Sequence, residues 1–247
     1  MKLTGNTIFI TGGGSGIGRG LAETFRQLGN QVIISGRRKS ALEETTKANP
    51  GMASIELDVE SLASIQAAAK HLTAAYPKLN VLINNAGIML PDTAAEAQDD
   101  AQLVATITTN LIGPLRLTSA LINHLKAQPS ATIVYNTSVL AFVPMAATAV
   151  YSATKAALHS YVLSQRLKLR HSSVEVLELA PPWVRTDLMN SREAEMAMPL
   201  DEFIEEAMRQ FGAGAEEILV GYAAQLRSNP GPHEGALVAE FNASLPF

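Results

Sequence analysis

Tyr151 and Lys155 are the side chains best placed to do chemistry together. They stand four residues apart at the start of a helical pattern, a spacing that puts both on one face. A free phenol has a pKa of about 10, too high for efficient proton exchange at neutral pH. A neighbouring ammonium favours the phenolate, and a second positive charge would add to the effect. Lowering the pKa by about 3 units takes about 4 kcal/mol, within reach of two cations in a dry site. The expected chemistry is proton transfer by a Tyr151 made acidic by Lys155. Such a pair also arises by chance, so its partners matter. Ser138 closes a strand pattern in Tyr-Asn-Thr-Ser. Its hydroxyl could hydrogen-bond a reacting oxygen while Tyr151 moves the proton. The ordinary role of a lone serine there is a turn or cap.

A second group of residues points to a dinucleotide. Thr11 to Gly18 reads Thr-Gly-Gly-Gly-Ser-Gly-Ile-Gly, with Gly12, Gly16 and Gly18 spaced GxxxGxG. Glycines let a pyrophosphate approach backbone N–H groups, and the helix that follows brings its partial positive charge. A tight strand–helix turn needs glycine for packing alone, so the loop is not decisive by itself. The next strand ends Ser35-Gly36-Arg37-Arg38, without a carboxylate. An acidic group there binds a ribose 2′-hydroxyl and repels a 2′-phosphate, whereas a guanidinium binds the phosphate. Arg37 therefore predicts NADP(H) over NAD(H), unless both arginines are ordinary surface charges. Asn110 sits among apolar neighbours in a helical region, which implies a kink or a hydrogen-bonding role unless it faces solvent.

These residues require a scaffold of alternating strands and helices. Strand patterns occur at Thr7–Thr11, Val32–Ser35, Ile55 with Leu57, Val81–Ile83, Thr132–Tyr135 and Val174–Leu179. Helical patterns separate them, at about 17–28, 61–76, 98–126 and 151–170. The expected fold is α/β: a single-domain, Rossmann-type doubly wound parallel sheet with helices on both faces, over residues 1–247. Its ligands bind beyond the carboxyl ends of the strands, where each motif above lies. Past Asp187 the pattern weakens. Residues 188–232 are expected to form a helical excursion over the site, with helical stretches at 201–211 and 216–227.

Composition narrows the partners. The 247 residues are 47% hydrophobic, enough for one large core. A net charge of −4 offers no general attraction to nucleic acid. With no cysteine there is no disulfide and no thiolate metal site. The five histidines lack metal-ligand spacing, so no metal is expected and they are taken as surface or packing residues. No signal peptide or membrane span is visible, and the default location is the cytoplasm.

Together, Thr11–Gly18, Asp58, Asn84-Asn85-Ala86-Gly87, Asn110, Ser138, Tyr151 and Lys155 resemble the short-chain dehydrogenase/reductase family in order and spacing. The resemblance spans about residues 5–187 and implies a hydride transfer between NADP(H) and a small-molecule carbonyl or alcohol. It implies that Tyr151 is the general acid/base. Lys155 would lower its pKa and hold the nicotinamide ribose, Ser138 would orient the substrate oxygen, and Asn110 would hold a water of a proton relay. Gly12, Ser15, Gly16, Ile17 and Gly18 would cradle the cofactor. Asp58 and Val59 would meet the adenine, and Asn85, Ala86 and Gly87 would line the site. Pro181, Val184 and Thr186 would close it near the nicotinamide. Pro182 replaces the family's usual glycine and puts the loop path in question. Residues 234–247 lack the family's common Asp-Gly-Gly ending, which favours a dimer over a tetramer. Leu140–Pro144, Glu178–Pro182 and Ala197–Phe203 are similar to oxidoreductases labelled DltE-like, a label that defines no substrate. Leu140, Met145, Trp183 and Met189 either line an apolar pocket or pack the core. Two other functions use a similar scaffold. A non-enzymatic NADP(H) sensor has no need of the Ser138–Tyr151–Lys155 set. A nucleotide-dependent methyltransferase normally has an acidic residue where Arg37 stands.

Overall fold

Continuous apolar runs flanked by glycine turns form strands buried on both faces, as a parallel sheet covered by helices requires. The computed structural model describes residues 1–92, 94–228 and 231–245. In chain order the elements begin β1 (Thr7–Thr11), α1 (Gly16–Gln27), β2 (Gln31–Gly36), α2 (Lys39–Ala48), β3 (Ala53–Glu56), α3 (Leu62–Ala75) and β4 (Leu79–Asn84). They continue with α4 (Asp100–Ile107), α5 (Gly113–Lys126), β5 (Ala131–Asn136), α6 (Ala149–Leu169), β6 (Val174–Ala180), α7 (Leu200–Gly212), β7 (Glu217–Leu219), α8 (Ala223–Arg227) and α9 (Glu234–Ala243). Among the described residues seven strands pair in parallel in the order β3-β2-β1-β4-β5-β6-β7. The order reverses between β1 and β4, so their carboxyl ends part there and leave a crevice.

Alternation along each strand divides the core between the two faces of the sheet. Ile8 and Ile10 of β1 join Leu21 and Phe25 of α1 and Phe203 and Phe211 of α7. Phe9, between them, joins Ile65 and Leu72 of α3, Leu117 and Leu121 of α5, and Leu158 of α6. The helical region at 98–126 is not uniform. A π-helical turn, Thr108–Ile112, separates α4 from α5 and carries Asn110 at its centre.

The segment after Asp187 is less helical than its composition suggests. Glu217–Leu219, expected within a helix, pairs instead with β6 as the edge strand, in the register Leu179↔Ile218. Ile218 is fully buried there, and Gly221 at φ 61 ends the run before a short α8. Burial against β6 overrides the helical preference of Glu and Leu. Between β6 and α7, Val184 bridges Met198. Met198 N donates to Trp183 O (2.8 Å) and Arg185 N to Met198 O (2.9 Å), which closes the intervening loop on itself. Met189 and Asn190 lie at φ 55 and 52, an uncommon conformation for residues with a Cβ. Asn229 and Pro230, within the expected excursion, and Pro246 and Phe247, within the terminal segment, lie outside the described residues.

Helix α7 belongs to the core, its Phe211 ring lying 6.4 Å from that of Phe25. Phe211→Ala should lower the unfolding free energy in urea by about 3–5 kcal/mol. Leu167→Ala, at a position 59% exposed, should change it by less than about 0.5 kcal/mol. Equal effects would show that α7 does not pack as described.

Candidate active site

The crevice at the ends of β1 and β4 opens into a cavity of about 460 Å³. Its floor is the glycine turn. Gly12 and Gly16 adopt φ 69 and 52. A Cβ on Gly12 would stand 2.9 Å from Asn85 Nδ2 and 3.0 Å from Ala86 Cα, so the turn requires glycine here. Gly12, Ser15, Gly16 and Ile17 line the cavity. Gly18 does not; a Cβ there would collide with Gly12 O and Asn85 Nδ2, so its role is the close packing of α1 on the turn. Ser15, at the N-cap of α1, makes no capping bond to the helix with its own side chain. Its Oγ accepts instead from Arg38 Nη2 at 2.9 Å. The N-terminus of the 12-residue α1 thus borders the cavity, beside a guanidinium.

Both arginines after β2 line the cavity, but they are held differently. Arg37, the residue singled out from sequence, donates to Glu60 Oε1 at 2.9 Å and is thereby tied to a carboxylate. Arg38, not singled out, is the one that reaches the glycine turn. Two adjacent arginines cannot be told apart by type; only the exit direction of β2 does so. Leu57 and Val59 line the wall beyond them. Asp58 does not, because its Oδ1 accepts from Glu60 N at 3.0 Å.

Asn85 connects the strand ends. Its Nδ2 donates to Thr11 O (2.9 Å), its Oδ1 accepts from Asn136 Nδ2 (2.8 Å), and its N donates to Thr11 Oγ1 (2.9 Å). Ala86 and Gly87 continue along the cavity wall. Asn110 lies behind that wall, 1% exposed. Its Oδ1 accepts from Ile88 N (2.9 Å), and its Nδ2 donates to Ile88 O (2.8 Å) and to Thr154 Oγ1 (3.3 Å). Asn110 makes hydrogen bonds and sits in a π-helical turn of its helix. What it holds directly is the chain after β4.

Ser138, Tyr151 and Lys155 meet on the far wall. Lys155 is 4% exposed. Its Nζ donates to Asn136 O at 2.7 Å and lies 5.3 Å from the Tyr151 ring centroid. Burial pushes the ammonium down to about 8. Burial pushes the Tyr151 phenol up to about 12, against a smaller opposing pull from its hydrogen bond with Ser138. In the protein alone the phenol is thus raised, not lowered, with burial the dominant cause. Ser138 Oγ also accepts from Leu140 N (3.1 Å), which fixes its rotamer.

Behind Ser138 is a buried carboxylate that sequence reasoning overlooked. Glu178 on β6 is fully buried. It accepts from Thr137 Oγ1 at 2.7 Å and pairs with His159 Nδ1 at 2.8 Å. His159 follows Lys155 by one helical turn and is not simply a surface or packing residue. The available signal was a second glutamate on β6, three residues after the exposed Glu175 and therefore on the opposite face of the strand. Pro181, Val184 and Thr186 line the cavity. Pro181 O accepts from Val139 N at 3.0 Å, and that bond sets the loop path that Pro182 had put in question. Among the described residues no cluster of potential metal ligands occurs, and no helix is long and apolar enough to cross a membrane.

Known proteins are similar to this chain in sequence and in fold. The family model described as short chain dehydrogenase matches residues 6–197. The uncharacterized oxidoreductase DltE of Bacillus subtilis is 39% identical over 224 residues, 88% of this chain and 89% of that protein. A short chain dehydrogenase from Burkholderia cenocepacia, solved in complex with NADP, superposes with a TM-score of 0.85 at 25% identity, covering 97% of this chain and 98% of its own. One from Burkholderia phymatum, solved in complex with NAD, gives 0.84 at 21% identity, covering 92% and 93%. With a family-model match over most of its length and a relative at 39% identity, the chain belongs to the short-chain dehydrogenase family of oxidoreductases.

Proposed function

We propose that this oxidoreductase moves a hydride between NADP(H) and a carbonyl or alcohol carbon, with Tyr151 as general acid/base. The observation that carries the reading is the convergence of Tyr151, Ser138 and Lys155 on one wall of a cavity floored by a glycine turn and a helix N-terminus. The residues fit a dinucleotide: Gly12, Gly14 and Gly16 bring no side chain to the part of the cavity they line, and Arg38 lies beside them. Similar structures hold NADP in one case and NAD in another, so the choice rests on this chain's own groups. Arg38 and Arg37 at the end of β2, with no carboxylate on that strand end, support NADP(H). Gly12, Ser15, Gly16 and Ile17 would hold the pyrophosphate, Val59 the adenine, and Lys155, Pro181, Val184 and Thr186 the nicotinamide half. When bound, the dinucleotide supplies or accepts the hydride.

The protein's part is the proton. A phenol near pKa 12 is protonated at neutral pH, the form that donates to a developing alkoxide during carbonyl reduction. Ser138 would hold the same oxygen. Alcohol oxidation needs the phenolate, so the two directions should respond to pH with opposite sign. Asn110 acts as a positioning residue, holding Ile88 against α6 through Thr154.

With saturating cofactor, kcat/KM for alcohol oxidation should climb from pH 6 toward 10, approaching about tenfold per unit where the phenol limits. Carbonyl reduction should stay level or fall over the same range. Tyr151→Phe should lower kcat by about 10²–10⁴, with the NADPH Kd little changed. Parallel pH profiles, or an active Tyr151→Phe, would remove Tyr151 from the reaction.

Wild type should prefer NADPH to NADH in kcat/KM. Arg38→Ala should reduce that preference by about tenfold to a hundredfold, the effect of losing a charge-assisted bond. Arg37→Ala should reduce it less, since Glu60 already engages that guanidinium. An NADH preference in wild type would overturn the assignment.

A further inference from the structure

The half of the cavity next to Tyr151 is apolar, and helix α9 forms part of its wall. Leu140, Met145, Trp183, Met189, Phe241 and Leu245 line it. Leu237, Val238, Phe241 and Leu245 pack on the cluster of Val139, Leu140, Val143 and Met145 that also contains the Tyr151 ring. Asn242 anchors α9 to the loop between Ser138 and Tyr151: its Nδ2 donates to Pro144 O (3.0 Å), and its Oδ1 accepts from Ala146 N (2.6 Å). No residue of α9 is fully buried, so the helix is held by this clamp and by its apolar contacts with the mouth of the cavity.

Charge is distributed unevenly along the same cavity. Among the described lining residues the charged ones are Arg37, Arg38, Lys155 and Asp187. The two arginines sit at the end of β2, beside Glu60 and Ser15. Lys155 is engaged by Asn136 O. Asp187 pairs with Arg192 and presents a carboxylate, which repels an anion. Cations elsewhere near the mouth are also engaged. Arg185 donates to the carbonyls of Ala194, Glu195 and Ala197, and Arg227 to Glu217. Polar groups on this side bond within the protein as well, Trp183 Nε1 to Ser191 Oγ (2.7 Å) and Trp183 N to Tyr222 Oη (3.3 Å). Apart from Lys155, which is held against Asn136 O at the Tyr151 end, an anionic substrate would enter without a counter-charge, which a low-dielectric site penalises heavily. An alkyl or aryl group would find a matching surface.

We infer that the substrate is an uncharged carbonyl or alcohol with an apolar body, seated against Tyr151 beneath α9, and that Phe241 sets the preference for that body. The inference rests on the hydride-transfer reading above. Each methylene moved from water into this wall should raise kcat/KM by about fourfold until the space is filled.

The test uses the full chain with NADPH. Straight-chain aldehydes from propanal to heptanal are compared with succinic semialdehyde and glyoxylate, and NADPH affinity is followed by fluorescence. Expected are a rise in kcat/KM with chain length and a preference of about a hundredfold or more for pentanal over succinic semialdehyde. Phe241→Ala should raise KM for heptanal about tenfold, with a much smaller change for propanal and an NADPH Kd within about twofold of wild type. Phe241→Arg should narrow the pentanal-to-semialdehyde ratio by about tenfold, a change that loss of packing alone does not produce. If Phe241→Ala is unstable, Asn242→Ala, which loosens the clamp, should raise KM for heptanal in the same direction. A flat chain-length series, or a heptanal-to-propanal ratio unmoved by these variants, would overturn the inference. Preference for the anionic aldehydes would overturn it and leave hydride transfer standing. NADPH binding with turnover of neither set would remove both.

Discussion

A chain of hydrogen bonds running across three strand ends holds the site together. Thr11 O at the end of β1 accepts from Asn85, Asn85 accepts from Asn136, and Asn136 O accepts from Lys155. The floor of the cavity and its far wall are thus joined by side-chain amides, not by separate packing arrangements. Each link lies where the parallel ladder ends and backbone groups would otherwise lack partners. That is why two asparagines and a threonine stand at the ends of apolar strands. A change in the path of β1 or β4 would be transmitted to Lys155 within three bonds.

The second constraint is dryness. The surroundings that bring Ser138, Tyr151 and Lys155 together also remove water from them, and both titratable groups shift toward their neutral forms. Composition and spacing pointed to the charge term alone, because an ammonium four residues from a phenol is visible in a sequence. Desolvation depends on what α6, β5 and the loop after β6 enclose, and no local window contains that information. A buried protonated phenol suits the delivery of a proton, and a positive charge arriving next to it would pull the phenol back down.

Much of the scaffold was legible because its signals are local. Six strands could be placed from apolar runs, and Asn110 betrayed the interruption in its helix by being a poor helix residue among apolar ones. The missed features are set by distant partners. β7 is a strand only because β6 offers an open edge to Glu217–Leu219. Arg38 and not Arg37 meets Ser15 because of the direction in which β2 leaves the sheet. Glu178 looks anomalous in sequence, yet its partner His159 is supplied by α6, 19 residues earlier. The wall formed by α9 could not be foreseen, since its residues lie about ninety positions from the tyrosine they shelter.

The π-helical turn at Thr108–Ile112 fits one more residue into the chain than an uninterrupted α-helix would. Each residue rotates an α-helix by about 100°. The extra one lets α4 face α6 while α5 turns its apolar stripe to α3 and the sheet. Segment length is thus as binding here as residue identity. Removing one residue from this turn would straighten the helix and swing Leu117, Leu121 and Leu125 out of the core, or else rotate α4 off α6. Either slip would also carry Asn110 away from Ile88.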